Sequence, residues 1–311
     1  MVFMGTPALA AHILERLVSA PGAMFRVVGV VTRPDQPRGR RLAMEPSEVG
    51  VVAARHSIST LKPTKIRTPE FTEELKAFAP DLLVVAAYGR ILPESILAMP
   101  RIAPINVHAS LLPRHRGASP IEGAILAGDA ETGVTIMRIV EKMDAGPAYL
   151  QRAIPIAPDD TQGTLKEKIA ELGASATLEA IDLAARDALV EVGQDETLAT
   201  YTSIISKENA VIDWSGSAVQ IERMTRAYDP WPVARTRLGG EEMLIWRAAV
   251  ENAESSGDTP GTIVSVTPHP IVLCGIGRLR LIEVQAPGRK RIPAADFFRG
   301  KRIATGARLG A

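Results

Sequence analysis

The chain has one cysteine, Cys274, in 311 residues. That excludes an internal disulfide and a zinc site built on several thiolates, and it fits a reducing compartment. Cys274 follows the apolar run Ile271-Val272-Leu273, which predicts a small buried side chain rather than a reactive thiol. Net charge is nearly absent as well: 36 Lys and Arg face 35 Asp and Glu, for a formal +1. A protein that binds polyanions over its whole surface is more basic, so any nucleic-acid contact must come from local patches. No apolar run approaches the ~20 residues of a membrane-spanning helix. The N-terminus runs directly into a strand, without the charged n-region of a signal peptide. These absences predict a cytoplasmic protein with no membrane partner. Several chemical motifs are missing too. Gly5-Thr6-Pro7 lacks the second and third glycines of a dinucleotide fingerprint. Gly275-Ile276-Gly277 is half of one, but Arg280 stands at the third position and the context is β-rich. There is no P-loop and no serine in a nucleophile elbow. His12, His56, His115 and His269 are scattered without ligand spacing, so no metal is expected.

What is present is the material for two cores. At 311 residues and 46% apolar content, two globular domains are expected. Val2-Phe3-Met4, Val27–Val31, Leu82–Ala86 and Ile105–His108 are continuous apolar runs of the kind buried in parallel sheets. Helical patterns lie between and after them, at Ala8–Ser19, Pro46–His56, Pro69–Phe78, Ser119–Leu126 and Thr164–Arg186. Further strands are expected at Val134–Ile139 and Ala148–Ile156. Arg33–Arg41 is a basic, Pro- and Gly-punctuated loop. This alternation predicts a doubly wound, mostly parallel α/β sheet, with sites at the carboxyl ends of the strands. A polar stretch follows, and then a helix at Ala218–Tyr228 and the rigid turn Asp229-Pro230-Trp231-Pro232. Short strands at Ala234–Leu238, Met243–Ala248, Gly261–Val266, Ile271–Leu273 and Leu279–Val284 predict a small β-barrel or sandwich. The division is a catalytic domain at 1–187, a linker at 188–206 and a β-domain at 207–311.

Chemistry concentrates at the end of the Ile105–His108 strand. Asn106 and His108 are two residues apart, so they share a face while Ile105 and Val107 take the other. An amide can hold a carbonyl oxygen and an imidazole can move a proton. The loop Ser110–Gly117 follows, shaped by Pro113 and Gly117, and His115 is close enough to line its rim. Asp144, in Met143-Asp144-Ala145-Gly146-Pro147, reaches His108 if the preceding strand is its neighbour. A carboxylate there is expected to raise the imidazole pKa and orient the ring. Each residue also has a plainer reading, Asn106 as a backbone partner and Asp144 as a turn former.

From Asn106 the residues become specific. Asn-Val-His-Ala-Ser-Leu-Leu-Pro-Arg-x-Arg-Gly-Ala-x-Pro-Ile, then Gly128–Met137, then Met143-Asp144-Ala145-Gly146, resemble the folate-dependent formyltransferases. The likeness extends over essentially the whole chain, through Phe3–Pro7, Ala87-Tyr88-Gly89, Ile205–Glu208, Ile212-Asp213-Trp214 and Asp229–Pro232. The Gly39-Arg40 loop and the Asp229–Pro232 turn are similar to the branch that acts on tRNA. The resemblance implies a Rossmann-like formyltransferase fold followed by an OB-like barrel. It implies transfer of a formyl group from 10-formyltetrahydrofolate to the methionine α-amino group of initiator methionyl-tRNA, with no metal. Asn106 would bond the formyl oxygen, His108 would polarise it and move protons, and Asp144 would hold His108 and the relay. Ser110, Leu111, Leu112 and Pro113 would border the folate, and Ala86, Tyr88, Gly89 and Arg90 would line the pterin slot.

Contacts to tRNA are expected from Arg38, Arg40, Arg41, Lys207, Arg289, Lys290 and Arg291. From Arg278 to the end, nine Lys and Arg face two acids, which makes a phosphate-backbone partner a serious expectation. The chain departs from the resemblance in places. It begins about two residues later than is usual, implying a trimmed first strand. Arg41, Leu42 and Ala43 stand where Gly-Lys-Lys is common, and Ile204 where Lys is common. A monomer is expected. The alternatives are a formyltransferase acting on a UDP-amino sugar, a formyl-folate hydrolase, and a non-catalytic RNA-binding protein, which would not need the three polar residues to converge.

Overall fold

The four apolar runs lie side by side as parallel strands, joined at one edge by the unforeseen strand Thr60–Leu61. The computed structural model describes residues 1–22, 25–38, 42–252 and 259–310, with the Arg38 side chain left out. Across the sheet run Thr60–Leu61, Gly29–Val31, Val2–Gly5, Leu82–Ala86 and Ala103–His108, all parallel. Glu131–Arg138 and Ala148–Pro155 complete it, antiparallel. Every residue of Val2–Gly5 and of Leu82–Ala86 is buried. This explains why these runs show no polar alternation: helices cover both faces. The register sets Val85 opposite Asn106 and Gly5 opposite Ala86, so the loops after three central strands open at one edge. Val107 does take the face opposite the polar pair: a Cβ on Gly173 would lie 3.3 Å from it.

Local signals set the helix starts. The Ser47 hydroxyl accepts from Gly50 N–H ahead of Glu48–Arg55, and Thr68 accepts from Phe71 N–H ahead of Pro69–Lys76. Both satisfy an otherwise unpaired donor of a first turn. Some elements differ from the sequence reading. The basic loop is flanked by a two-stranded pairing of Gln36–Arg38 with Ala43–Glu45, too short and Pro-interrupted to show a period. Strand pairing at 27–31 begins at Gly29, although Val28 N–H still donates to Met1 O.

By contact the chain divides into two units. The first comprises Met1–Pro120, Glu131–Pro155 and Lys166–Ser203, the second Ile121–Ala130, Ile156–Leu165 and Ile204–Ala311. Residues 188–203 thus pack with the first unit. Val192 exchanges backbone hydrogen bonds with Ala148, and Tyr201–Thr202 pairs with Arg116–Gly117.

The second unit is built on an antiparallel sheet in the order Ala234–Leu238, Glu241–Asn252, Arg278–Gln285, Ile271–Leu273, Ile263–Ser265. Its terminal segment bonds to both edge strands. Leu309 bridges Leu238, while Ile263 N–H donates to Ala307 O, as a barrel requires. Trp214, Ile245, Val272, Leu279 and Phe298 fill the interior, and the Trp214 indole donates to Thr236 Oγ1 at 2.9 Å. Cys274 is buried there and its thiol is pushed up to about 12 by desolvation, so it is inert at neutral pH. The helix Ala294–Gly300, unforeseen in the sequence, is too short to carry a period and is fixed by burial of Phe297 and Phe298.

Candidate active site

His108 ends its strand buried, 5% exposed, with Asn106 half-buried two residues before it. Among the described residues the Asn106 amide has no side-chain partner. The His108 Nε2 lies 3.0 Å from His115 O. A carbonyl can only accept, so Nε2 carries the proton and Nδ1 of the neutral ring is bare. That bare nitrogen faces Asp144 Oδ1 at 3.7 Å, too long for a direct hydrogen bond. Asp144 does raise the imidazole pKa, as expected, but burial outweighs it. Burial pushes His108 below the ordinary value, the Asp144 charge and the His115 carbonyl oppose that only in part, and the His115 and Arg116 charges lower it further. At neutral pH the imidazole is therefore neutral, and its bare nitrogen faces the Asp144 side chain across one gap.

Asp144 is set in place by its loop. Its backbone is left-handed, φ 50°, a conformation uncommon outside glycine and best tolerated by Asn, Asp and His. Its Oδ2 accepts from Gly117 N–H at 2.8 Å and its carbonyl from Gln194 Nε2 at 2.8 Å. Two glycines make this possible. A Cβ on Gly146 would sit 1.9 Å from Arg138 O, and one on Gly117, at φ 104°, would sit 2.3 Å from Thr202 O. The loop after His108 is tied as tightly. Thr135 Oγ1 donates to Ser110 O and accepts from Leu112 N–H, and Gln151 Nε2 donates to Leu112 O.

The residues expected to border folate lie on two loops at the same sheet edge. Ser110 is fully buried, with its hydroxyl donated to Arg114 O, so it shapes the loop. Leu112 is buried, while Leu111 and Pro113 are partly exposed. Ala86 ends its strand buried, Gly89 turns at φ 77°, and Arg90 donates to Pro63 O. Tyr88 is buried, with its phenol raised by desolvation and, among the described residues, no partner for its hydroxyl.

Of the residues expected at tRNA, Arg40 and Arg41 lie outside the described residues. Arg38 pairs with Ala43 through its backbone. Lys207, Arg289 and Lys290 are exposed. Arg291 lies 3.3 Å over the Trp246 ring and pairs with Asp229 and Glu283. Arg289, Lys290 and Lys301 line a cavity of about 670 Å³ together with Glu241, Glu242 and Asp296, so its charges nearly cancel. Sequence reasoning missed Thr135, Gln151 and Gln194, and took His115 only for a rim residue. None of these positions carries a local pattern. Among the described residues no group of three His, Cys, Asp or Glu is placed to hold a metal, and no helix is long and apolar enough to cross a membrane.

An imidazole, a carboxyl group and an amide lie together at the carboxyl edge of a parallel sheet, and the chain belongs to the formyl transferase family. Residues 1–181 match the formyl transferase domain and residues 204–302 the formyl transferase C-terminal domain. Among particular proteins, it is 46% identical over 310 residues to the methionyl-tRNA formyltransferase of Roseiflexus sp. (strain RS-1), covering 100% of this chain and 95% of that one. The methionyl-tRNA formyltransferase of Geobacter sulfurreducens is 41% identical over 311 residues, covering 100% of this chain and 96% of that one. The fold is shared with distant solved structures. One is the N-formyltransferase from Helicobacter canadensis in complex with folinic acid and dTDP-3-aminofucose, with TM-score 0.67, 18% identity, and coverage of 90% of this chain and 97% of that one. Another is HypX from Aquifex aeolicus in complex with tetrahydrofolic acid, with TM-score 0.61 and 17% identity, of which this chain spans 47% while 98% of this chain is covered.

Proposed function

We propose that the chain transfers the formyl group of 10-formyltetrahydrofolate to the α-amino group of methionine on initiator methionyl-tRNA, using Asn106, His108 and Asp144. The observation that carries this reading is the gap of 3.7 Å between bare His108 Nδ1 and Asp144 Oδ1, beside the free Asn106 amide. An attacking amine has protons to give, and both atoms across the gap accept. The Asn106 amide can donate to the formyl oxygen as charge develops there, an interaction typically worth ~10²–10³ in rate. His108 Nδ1 takes the amine proton, and Asp144 stabilises the imidazolium so formed. The protonated Nδ1 is then a donor for the departing nitrogen. Because Nε2–H is committed to His115 O, polarising the formyl oxygen falls first to Asn106.

The formyl donor supplies an activated one-carbon group on a flat heterocycle. Leu111, Leu112 and Pro113 on one loop and the Ala86–Arg90 turn on the other offer apolar walls and backbone hydrogen-bonding groups suited to such a ring. The unpartnered Thr6 and Tyr88 hydroxyls lie on loops of this same edge, which supports a polar ligand there. The full-length likeness to methionyl-tRNA formyltransferases supports initiator tRNA over an amino-sugar acceptor. Residues 207–311, with Lys207, Arg289, Lys290 and Arg291, would carry part of the tRNA contact, together with Arg38, Arg40 and Arg41 of the catalytic residues 1–187. The reading is of a cytoplasmic monomer. The test is incubation of the purified chain with 10-formyltetrahydrofolate and either methionyl-initiator tRNA or a UDP-amino sugar. Formyl transfer to the tRNA is expected; transfer to the sugar alone would overturn the reading.

A further inference from the structure

The loop that carries Asp144 is held by a segment far away in sequence. Gln194 Nε2 donates to Asp144 O at 2.8 Å and to Gly146 O at 2.7 Å. Glu196 accepts from Lys142 Nζ at 2.7 Å, two residues before Asp144. The same two side chains share Arg116. Its Nε and Nη2 donate to Gln194 Oε1 at 3.1 and 2.7 Å, and its Nη1 and Nη2 donate to Glu196 at 3.2 and 2.8 Å. Nη1 also reaches Tyr201 Oη at 3.2 Å. Arg116 is 0% exposed. Its neighbour Gly117 provides the N–H that holds the Asp144 carboxylate.

These contacts close a ring. It runs from Asp144 O to Gln194, from Gln194 to Arg116, along the backbone to Gly117, and back to Asp144 Oδ2. The Gln194 amide is used in full, with two protons given and its oxygen accepting twice. A buried arginine whose donors are so placed fixes position rather than adding affinity. The ring also explains how Asp144 keeps its left-handed backbone, since such conformations persist only where their surroundings over-determine them.

We propose that Gln194, set by buried Arg116, is a positioning residue that holds the Asp144 carboxylate across from His108, so that residues 194–196 form part of the active site rather than a passive connection. This rests on the Asp144 role proposed above. The decisive substitution is Gln194→Glu. It keeps size and gives Arg116 a stronger partner, but it removes both donors to the Asp144 loop. A misplacement of about 1 Å at reacting groups can cost ~10²-fold, so kcat is expected to fall at least about tenfold with the folate KM within about twofold. Glu179→Gln, which removes an exposed ion pair with Arg152 and touches neither Gln194 nor Arg116, should keep kcat within about twofold.

Two further readouts separate position from general stability. In an Asp144→Ala background, Gln194→Glu should have no further effect on kcat, because the two act as one unit. By NMR, hydrogen exchange of the Gly117 amide should accelerate in Gln194→Glu. The Arg116 amide, bonded to Thr200 O at 2.8 Å, should stay protected. A Gln194→Glu protein with wild-type kcat, or one whose loss multiplies fully with that of Asp144→Ala, would overturn the proposal. The amide measurement needs no turnover. If the wild-type chain formylates no tRNA, the functional reading fails by itself, and unchanged Gly117 exchange would sink the positioning role independently.

Discussion

Two arginines show how differently the two units use charge. Arg116, in the first unit, is fully buried, and its guanidinium donors are spread over Gln194, Glu196 and Tyr201. Arg291, in the second, has a side chain 42% exposed, and its ion pairs with Asp229 and Glu283 are long, 3.5 and 4.0 Å. Its firmest contact is the face of Trp246. Burial makes the partners of Arg116 costly to change, because an unpaired charge there has no water to turn to. The partners of Arg291 are screened and exchangeable. The first environment suits placing a catalytic group to a fraction of an ångström. The second suits a surface that can trade an internal carboxylate for a phosphate. Substitutions in the first should therefore have large effects that salt does not change. Those in the second should be small, additive and salt-dependent.

The sharpest separation is expected at the site itself. Asn106→Ala and Asp144→Ala should each lower kcat by ~10²–10³, with folate binding little changed, in single-turnover formylation against a folate titration. Near-normal turnover in either variant would remove that residue from the mechanism. Gly146→Ala comes next. Its Cβ would meet Arg138 O at 1.9 Å, and backbone cannot give way as a side chain can. A stability loss of at least ~2 kcal/mol is expected in denaturant titration, together with loss of activity.

A pH experiment sharpens the same comparison through His108. Burial holds its pKa below the ordinary 6.5, Asp144 works against that, and the His115 and Arg116 charges add to it. On the proposed mechanism the attacking amine gives its proton to neutral His108, so activity should be lost as pH falls through the His108 pKa. Removing the one nearby negative charge in Asp144→Asn lowers that pKa further. The acid limb of the residual kcat profile should therefore move to lower pH in Asp144→Asn. A shift upward would mean that Asp144 does not act on the imidazole. The same depression bears on stability. The unfolded chain binds the His108 proton more readily, so its contribution to stability is lost as pH drops below about 6.5.

Much of this was legible in the sequence, for physical reasons that also mark the limits. The central strands could be read because Val2–Gly5 and Leu82–Ala86 are buried throughout, and full burial leaves continuous apolar runs. Asn106 and His108 stood out because two polar groups at spacing two interrupt such a run. Asp144 stood out because Gly146 and Pro147 announce a turn. What could not be read was depth and long-range pairing. The sign of the His108 shift depends on how far the ring is buried, which no local pattern encodes. Gln194 lies 50 residues from Asp144, in a polar stretch whose composition is that of a linker. Nor could the pairing of the basic tail be read. Four of its nine cations, Arg280, Arg291, Arg299 and Lys301, pair with acids of the same unit, and a count of charges does not reveal that.

The smallest effects are expected on that tail, and they are the ones that could break the comparison. Arg289 and Lys290 are exposed, at the rim of a cavity where Glu241, Glu242 and Asp296 offset them. If they touch phosphates, Arg289→Ala and Lys290→Ala should each raise the tRNA KM several-fold and leave kcat alone. Each should also reduce the slope of log affinity against log salt by about 1. Arg291→Ala should do less to that slope, since binding a phosphate must first cost Arg291 its Asp229 and Glu283 contacts. It should instead lower thermal stability slightly, by uncovering Trp246. A salt slope that responds to Arg291 and not to Arg289 or Lys290 would mean that the paired arginine is the phosphate ligand. The exposed charges would then be solvated surface, and the line between fixed and exchangeable arginines would have to be redrawn inside the second unit.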